Sequence, residues 1–389
     1  MIRVKEKICL KGITWNHPRG YESIGAVSKA FSRNCTDVKL HWDVRSLKDF
    51  GDYPVTLLAE NYDLIMLDHP HIGSAVEGGA LIPLNQWLDQ AFLEDQEKNS
   101  VGRSFESYQM NGCQWALAVD AAAQISAYRP DLMAGILPPR NWDEVKNLAK
   151  DRKRAGWVGF PLCQTDVYCS FLTICANIRG DGVICRESGV EYQAALQAVE
   201  LLRELSELVY PASLDMNPIQ MLEHMALTDE VCYVPLLFGY SNYARTPPFG
   251  RKLIRFTNIP SFTQIPSGAL LGGVGLAVSS GCKNKRIAAD FVRFAAQDDI
   301  QRGIYYENAG QPGYLGAWTD EAVNRDCHGF FLDTLDTLRL SYLRPRYGGY
   351  NRFQEMAGLI LNQGLKDRQK PGEIVSCLQA LFEKLKKQR

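Results

Sequence analysis

The stretch Ile13-Thr14-Trp15-Asn16-His17-Pro18-Arg19-Gly20-Tyr21 decides the fold. Before it, Ile8 to Ile13 is an apolar-rich run that predicts a buried strand. After it, Ile24, Val27 and Phe31 recur at helical spacing, which predicts a helix from about Tyr21. The residues between then form a strand-to-helix turn. In an open α/β sheet such turns lie at the carboxyl ends of strands, where the N–H groups of the helix start face the crevice. This turn holds an indole, an amide, an imidazole, a guanidinium and a phenol, and Pro18 and Gly20 restrict its shape. Those are the parts of a small-molecule cup.

Working outward, Val38, Leu40, Trp42 and Val44 alternate with Lys39, His41, Asp43 and Arg45, which predicts a half-buried strand. Tyr62 to Leu67 is a third strand, ending in Asp68-His69-Pro70-His71. Strand, helix, strand, short helix, strand is a doubly wound α/β start, and its strand ends share one edge. A helix is expected over Asn85 to Ala91. Asn111-Gly112 marks a tight hairpin; the returning strand, Trp115 to Val119, exits into Asp120 to Gln124. Long helices follow: one opened by Asn141 with Glu144 three residues on, one over Tyr192 to Val209, one begun at Asn217-Pro218. Val231 to Val234 predicts a short strand before the ring-rich turn Phe238 to Tyr243. Gly268 to Val278 precedes a helix over Lys285 to Ala296, and Pro371 opens the last helix.

The chain has 389 residues, enough for two domains with separate cores. A net charge of −1 gives no electrostatic reason to expect nucleic acid or an anionic membrane as partner, and no apolar run approaches membrane-spanning length. The amino terminus is basic with no apolar core behind it, so no secretion signal is expected in this chain. Two locations follow: the cytoplasm, or the periplasm or cell surface if a leader was removed. Eleven cysteines, an odd number without framework spacing, suit buried thiols better than disulfides.

No nucleophile elbow, phosphate loop, His-Glu-x-x-His or dinucleotide loop occurs, and no cofactor is expected. His17, His69 and His71 with Asp68 have the chemistry to hold zinc or iron; polar ligand contact and structural hydrogen bonding are the alternatives. Cys163, Cys169 and Cys175 come at steps of six, which scatter round a helix rather than converge on a metal. Arg19 and Arg45 can present forks to a carboxylate or sugar-acid group, or make surface ion pairs with Asp43 or Glu22. Trp15, Tyr21, Tyr168, Phe238, Tyr240 and Tyr243 can stack on a sugar face or serve as core.

The chain resembles the extracellular solute-binding proteins of ABC importers, family 1, to which maltose-binding proteins belong. The resemblance rests on Gly12 to Tyr21, on Gly79-Ala80-Leu81-Ile82-Pro83-Leu84 and on Asn111 to Asp120. It continues in Pro139-Arg140-Asn141-Trp142-Asp143-Glu144-Val145 and in Gly272-Gly273-Val274-Gly275-Leu276-Ala277-Val278. It implies an α/β, two-lobed periplasmic-binding-protein-like (type II) fold, each lobe a mixed sheet flanked by helices, closing by a hinge on solute held between lobes. Lobe 1 would comprise 1–120 and 270–318, and lobe 2 121–269 and 319–389. Crossings are expected near Val119 to Ala122, Gly268 to Gly272 and Ala317 to Glu321.

The function so implied is that of a monomeric, non-enzymatic receptor that takes a small polar solute, a sugar or sugar acid, to a membrane permease. Trp15 and Tyr240 would stack on it. Arg19 and Arg45 would pair with its oxygens, and His17, Asp68, His69 and Gln164 would orient it. Asn16, Tyr21, His71, Asp120, Asp166, Tyr168, Phe238, Asn242, Gly272 and Gly273 complete the expected site. The alternative is a cytoplasmic enzyme or sensor on the same frame, using His17, His69 and His71 for acid-base or metal chemistry.

Overall fold

The computed structural model describes residues 7–46, 53–151, 156–247 and 250–387. The chain begins β1 (Ile8–Trp15), α1 (Pro18–Asn34), β2 (Val38–Arg45), α2 (Val55–Ala59), β3 (Leu64–Leu67), α3 (Ile72–Glu77) and α4 (Gln90–Asn99). It continues through β4 (Gln109–Met110), β5 (Cys113–Gln114), β6 (Ala116–Tyr128), α5 (Trp142–Lys150), β7 (Trp157–Val158) and α6 (Gln164–Arg179). Next come β8 (Ile184–Cys185), β9 (Gly189–Val190), α7 (Tyr192–Ser206), α8 (Pro218–Leu227), β10 (Val231–Phe238) and β11 (Arg255–Thr257). The last long elements are β12 (Leu271–Val278), α9 (Lys285–Ala295), α10 (Tyr350–Lys366) and α11 (Pro371–Lys386). These fall into two compact units. Unit 1 is Met1–Ala121, Gly272–Val323 and Arg346–Gly348; unit 2 is Ala122–Leu271, Asn324–Pro345 and Gly349–Arg389.

In unit 1 the sheet order is β2-β1-β3-β12, with β6 next to β12. β1 runs parallel to both β2 and β3, with Trp15 opposite Arg45 and Ile13 opposite Ile65. β12 runs antiparallel to β3, with Gly275 opposite Leu67. Side chains alternate across the sheet, so each face carries its own core. Leu10, Trp15, Leu64 and Met66 pack with Ile24, Val27 and Phe31 of α1 and with Phe291 and Val292 of α9. Ile13, Ile65 and Leu67 pack on the opposite face with Leu58, Ile72, Ala75 and Tyr108. Val44, expected inside, is half exposed, because the outer strand β2 is covered less completely than its neighbours.

The chain passes from unit 1 to unit 2 within β6, at Ala121 and Ala122. In unit 2, β6 is flanked by β10 on one side and β11 on the other, both antiparallel, and β7 runs parallel to β10. β10 contains Pro235, which cannot donate to a ladder; the register shifts between Val234 and Leu237, where Ser126 Oγ donates to the Pro235 carbonyl at 2.8 Å. Helix α6 is buried along most of its length, from Asp166 to Asn177. It packs against α7 and α10, and α10 reaches it closely because residue 358 is glycine. A Cβ on Gly358 would lie 2.1 Å from the Gln164 carbonyl oxygen. Gly358→Val is expected to lower stability in urea unfolding by about 1–3 kcal/mol, since the helices must separate. An unchanged midpoint would contradict this packing.

Several element boundaries differ from the sequence expectation for identifiable reasons. β1 runs on through Trp15 and α1 starts at Pro18, so the turn is only Asn16-His17: proline suits the first helical position and the His17 Nδ1 accepts the Arg19 N–H at 3.1 Å. The helix expected at Asn85 begins instead at Gln90, because Asp89 caps it by accepting the Phe92 N–H at 2.9 Å. The strand after the hairpin does not exit at Asp120 but continues to Tyr128, and β10 extends beyond Val234 to Phe238 through its bulge. Asn111 and Gly112 both have positive φ, 52° and 73°, as a two-residue hairpin turn requires. Asn217 and Gln220 form a reciprocal capping box at α8.

Candidate functional site

Parallel pairing brings the carboxyl ends of β1, β2 and β3 to one edge of unit 1, and antiparallel pairing brings the amino end of β12 there. That edge collects Trp15, Asn16, His17, Arg45, Asp68, His69, Gly272 and Gly273. Asn16 is exposed, and His17, Tyr21, Arg45, Asp68 and Gly273 are half-buried. Arg45 Nη2 donates to the Met66 carbonyl at 3.0 Å, tying the end of β2 to β3. The Asp68 side chain keeps 24% of its surface, whereas His69 is fully buried with Nδ1 3.1 Å from Asp68 Oδ1. His71 is also buried.

Trp15 and Arg19, both expected to contact solute, are buried within unit 1. The indole of Trp15 belongs to the α1 core, against Gly20, where a Cβ would lie 2.5 Å from the ring. Arg19 is turned inward. Its Nε and Nη2 donate to the two carboxylate oxygens of Asp120 at 2.7 and 2.5 Å, and both side chains are almost wholly buried. The partner is therefore neither Asp43 nor Glu22. Asp43 instead binds Lys11 at 3.0 Å, with His41 and Tyr62 also on its carboxylate. Burial pushes the Asp120 carboxyl up, the Arg19 guanidinium opposes that, and the Asp68 charge adds to it.

In unit 2, Gln164 is exposed, Phe238 and Asn242 are half-buried, and Tyr240 is nearly covered. Tyr168 is core: it is fully buried, stacks on Phe171 and shares a 2.9 Å hydrogen bond with the Tyr350 hydroxyl. Asp166 is buried in the first turn of α6, where the Cys163 thiol donates to its Oδ2 at 3.0 Å. Burial raises the Asp166 carboxyl to about 7 and the Cys163 thiol to about 12.

Among the described residues no group of three His, Cys, Asp or Glu side chains is placed to hold a metal ion. The metal variant through His17, His69 and His71 therefore lacks a ligand set, as does the Cys163, Cys169 and Cys175 series. His17 Nδ1 is engaged as a helix cap, and His69 and His71 are enclosed by their short turn. Sequence reasoning also missed Tyr108, whose hydroxyl lies 3.3 Å from both the Leu67 and Gly273 carbonyls. Only its place just before the hairpin could have pointed to it.

The pattern that defines the bacterial extracellular solute-binding proteins matches residues 14–302. The chain belongs to that family.

The fold of this solute-binding protein is similar to those of solved relatives over nearly its whole length. Maltose-bound MalE3 of T. maritima is 19% identical, covers 97% of this chain and 100% of its own, and has a TM-score of 0.82. A ribitol-bound solute-binding protein of an ABC transporter from Agrobacterium radiobacter K84 is 18% identical, with 97% and 98% covered and a TM-score of 0.81. Another from Thermotoga lettingae TMO, bound with α-D-tagatose, is 17% identical, with 98% and 100% covered and a TM-score of 0.81. This solute-binding protein therefore has the α/β, periplasmic-binding-protein-like fold, each unit a mixed sheet with helices on its faces.

Proposed function

We propose that this solute-binding protein captures a neutral sugar or sugar alcohol and delivers it to the permease of an ABC importer, outside the cytoplasmic membrane. The observation that carries the choice of solute is the Arg19–Asp120 pair: the guanidinium that a sugar acid would need is already neutralised by a buried carboxylate. Arg45 gives Nη2 to the Met66 carbonyl and keeps its charge beside the Asp68 carboxylate of the same strand-end edge. Asp68, an acceptor with exposed surface, is suited to hydroxyl donors and repels a carboxylate. Maltose, ribitol and tagatose, held by the similar proteins, are all neutral polyhydroxyl compounds.

We assign the solute contacts of unit 1 to Asn16, His17, Tyr21, Arg45, Asp68 and the Gly273 backbone. Those of unit 2 we assign to Gln164, Phe238, Tyr240 and Asn242. A thermal-shift screen of neutral sugars, sugar alcohols and their acids tests the reading, because a ligand bound only by the folded state raises the melting temperature. A neutral compound is expected to score, and a screen in which only acids score would reject this choice of solute. For the compound that scores, Asp68→Asn is expected to weaken binding about tenfold, the loss of a charge-assisted hydrogen bond. An unchanged dissociation constant by calorimetry would remove Asp68 from the site.

A further inference from the structure

We propose that Arg346 is a positioning residue for solute capture: it fixes the Asp68–His71 turn at both ends, through the turn that carries Tyr108 and through its own seat on Gly73. The inference rests on the assignment of Asp68 to solute contact made above. Residues Arg346–Gly348 belong to unit 1, whereas the chain before and after them, Asn324–Pro345 and Gly349–Arg389, belongs to unit 2. Specific contacts hold this three-residue strap on unit 1.

The first is the guanidinium. Arg346 Nη1 donates to the carbonyls of Glu106 and Gln109 at 2.6 and 3.0 Å, the two that bracket Ser107-Tyr108. Burial draws the Arg346 guanidinium below its ordinary value, and charge-assisted bonds to carbonyls are what keep it in place. The turn so held presents Tyr108, whose single hydroxyl proton is shared between the Leu67 and Gly273 carbonyls, each 3.3 Å away. Leu67 is the last residue of β3 before Asp68. The Tyr108 ring stands edge-on to His69, with centroids 6.4 Å apart, and fills the space a side chain on Gly275 would need.

The second contact lies just past the carboxyl end of the turn. A Cβ on Gly73 would lie 1.7 Å from the Arg346 carbonyl oxygen, so only glycine at the start of α3 lets the strap sit down. The Gly348 N–H donates to Glu77 Oε1 at 3.3 Å at the far end of the same helix. Both ends of the Asp68–Gly73 segment are therefore pressed against the strap or against a residue the strap holds. A contacting carboxylate loses affinity when its support lets it drift by a fraction of an ångström.

The test uses Arg346→Met, Tyr108→Phe, their double variant and Arg346→Lys in the full chain, with two readouts. One is the histidine ring NMR spectrum of unliganded protein, which has six histidines to resolve. The His69 signal is expected to move in Arg346→Met and in Tyr108→Phe while that of exposed His41 stays, and Arg346→Lys is expected to restore part of the shift. The other is the dissociation constant for maltose, ribitol and tagatose, expected to rise about tenfold in Arg346→Met and no further in the double variant, as for residues acting in one chain of contacts. A His69 signal indifferent to Arg346→Met, or affinity losses that add independently, would overturn the proposal. If Arg346→Met does not fold, Arg346→Gln, which loses the charge and the reach to the two carbonyls, takes its place with the same expected and overturning results. Should none of the three probes bind wild-type protein, the solute reading fails while the His69 signal still decides whether Arg346 fixes the turn.

Discussion

Arg19→Met is expected to lower the melting temperature by roughly 10 °C, the largest effect of any single substitution considered for unit 1. The reason is asymmetry rather than the strength of the pair. Two charges buried together offset much of their desolvation by a bidentate contact at 2.5 to 2.7 Å. Removing one leaves the Asp120 carboxylate buried without its cation, which costs about 3–5 kcal/mol. The loss should be smaller at low pH, where the uncompensated carboxyl can protonate. Pairing Arg19→Met with Asp120→Leu is expected to recover most of the stability, because an apolar pair of similar volume removes the stranded charge. Scanning calorimetry on the two single variants and the double checks this. A double variant no better than Arg19→Met would mean that the ion pair matters through shape alone.

The second large effect concerns Asp166 and pH. Burial raises its carboxyl to about 7 in the folded chain, well above the ordinary aspartate value. A raised acid contributes stability that is fully present below its unfolded value and is lost as pH climbs through the folded one. Between about pH 4 and pH 7 the folded state holds a proton that the unfolded chain has released, so stability falls with rising pH and then levels off. The total is on the order of 4 kcal/mol. Asp166→Asn carries no titrating group there, so it is expected to flatten that slope and to be more stable than wild type at pH 8. Urea unfolding of both proteins at pH 4, 6 and 8 reads it directly. Parallel curves for the two proteins would show that the Asp166 carboxyl ionises without penalty.

The frame of the protein was legible because it is written in local patterns. The α1 stripe of Ile24, Val27 and Phe31, the Asn111-Gly112 turn and the Asn217-Pro218 start all depend on near neighbours, and the structure keeps each of them. Element ends were less legible where a distant or unexpected partner decides them. β6 runs past Asp120 because Arg19, 101 positions away in sequence, neutralises a carboxylate inside a strand. Trp15 and Tyr168 look like ring platforms in sequence, yet each fills a core: Gly20 makes room for one, and Phe171 and Tyr350 hold the other. Tyr108 and Arg346 were invisible for the same reason. Their roles exist only through carbonyl oxygens at Leu67, Gly273, Glu106 and Gln109, and a carbonyl leaves no mark in the residue alphabet.

Those long-range contacts also sharpen the chemistry. A chain with free-looking arginines after two strand ends invites an acidic solute. With Arg19 paired to Asp120, the strand-end edge of unit 1 carries the Asp68 carboxylate and the Arg45 guanidinium, opposite charges that leave no net positive charge between them for an acid. The measurement that bears most directly on this is calorimetric titration of the purified protein with a hexose, its sugar alcohol and its uronic acid, the two derivatives each differing from the hexose at a single carbon. Saturable heat with the hexose or the alcohol, and none with the acid, is the predicted result. Binding of the uronic acid alone would contradict it.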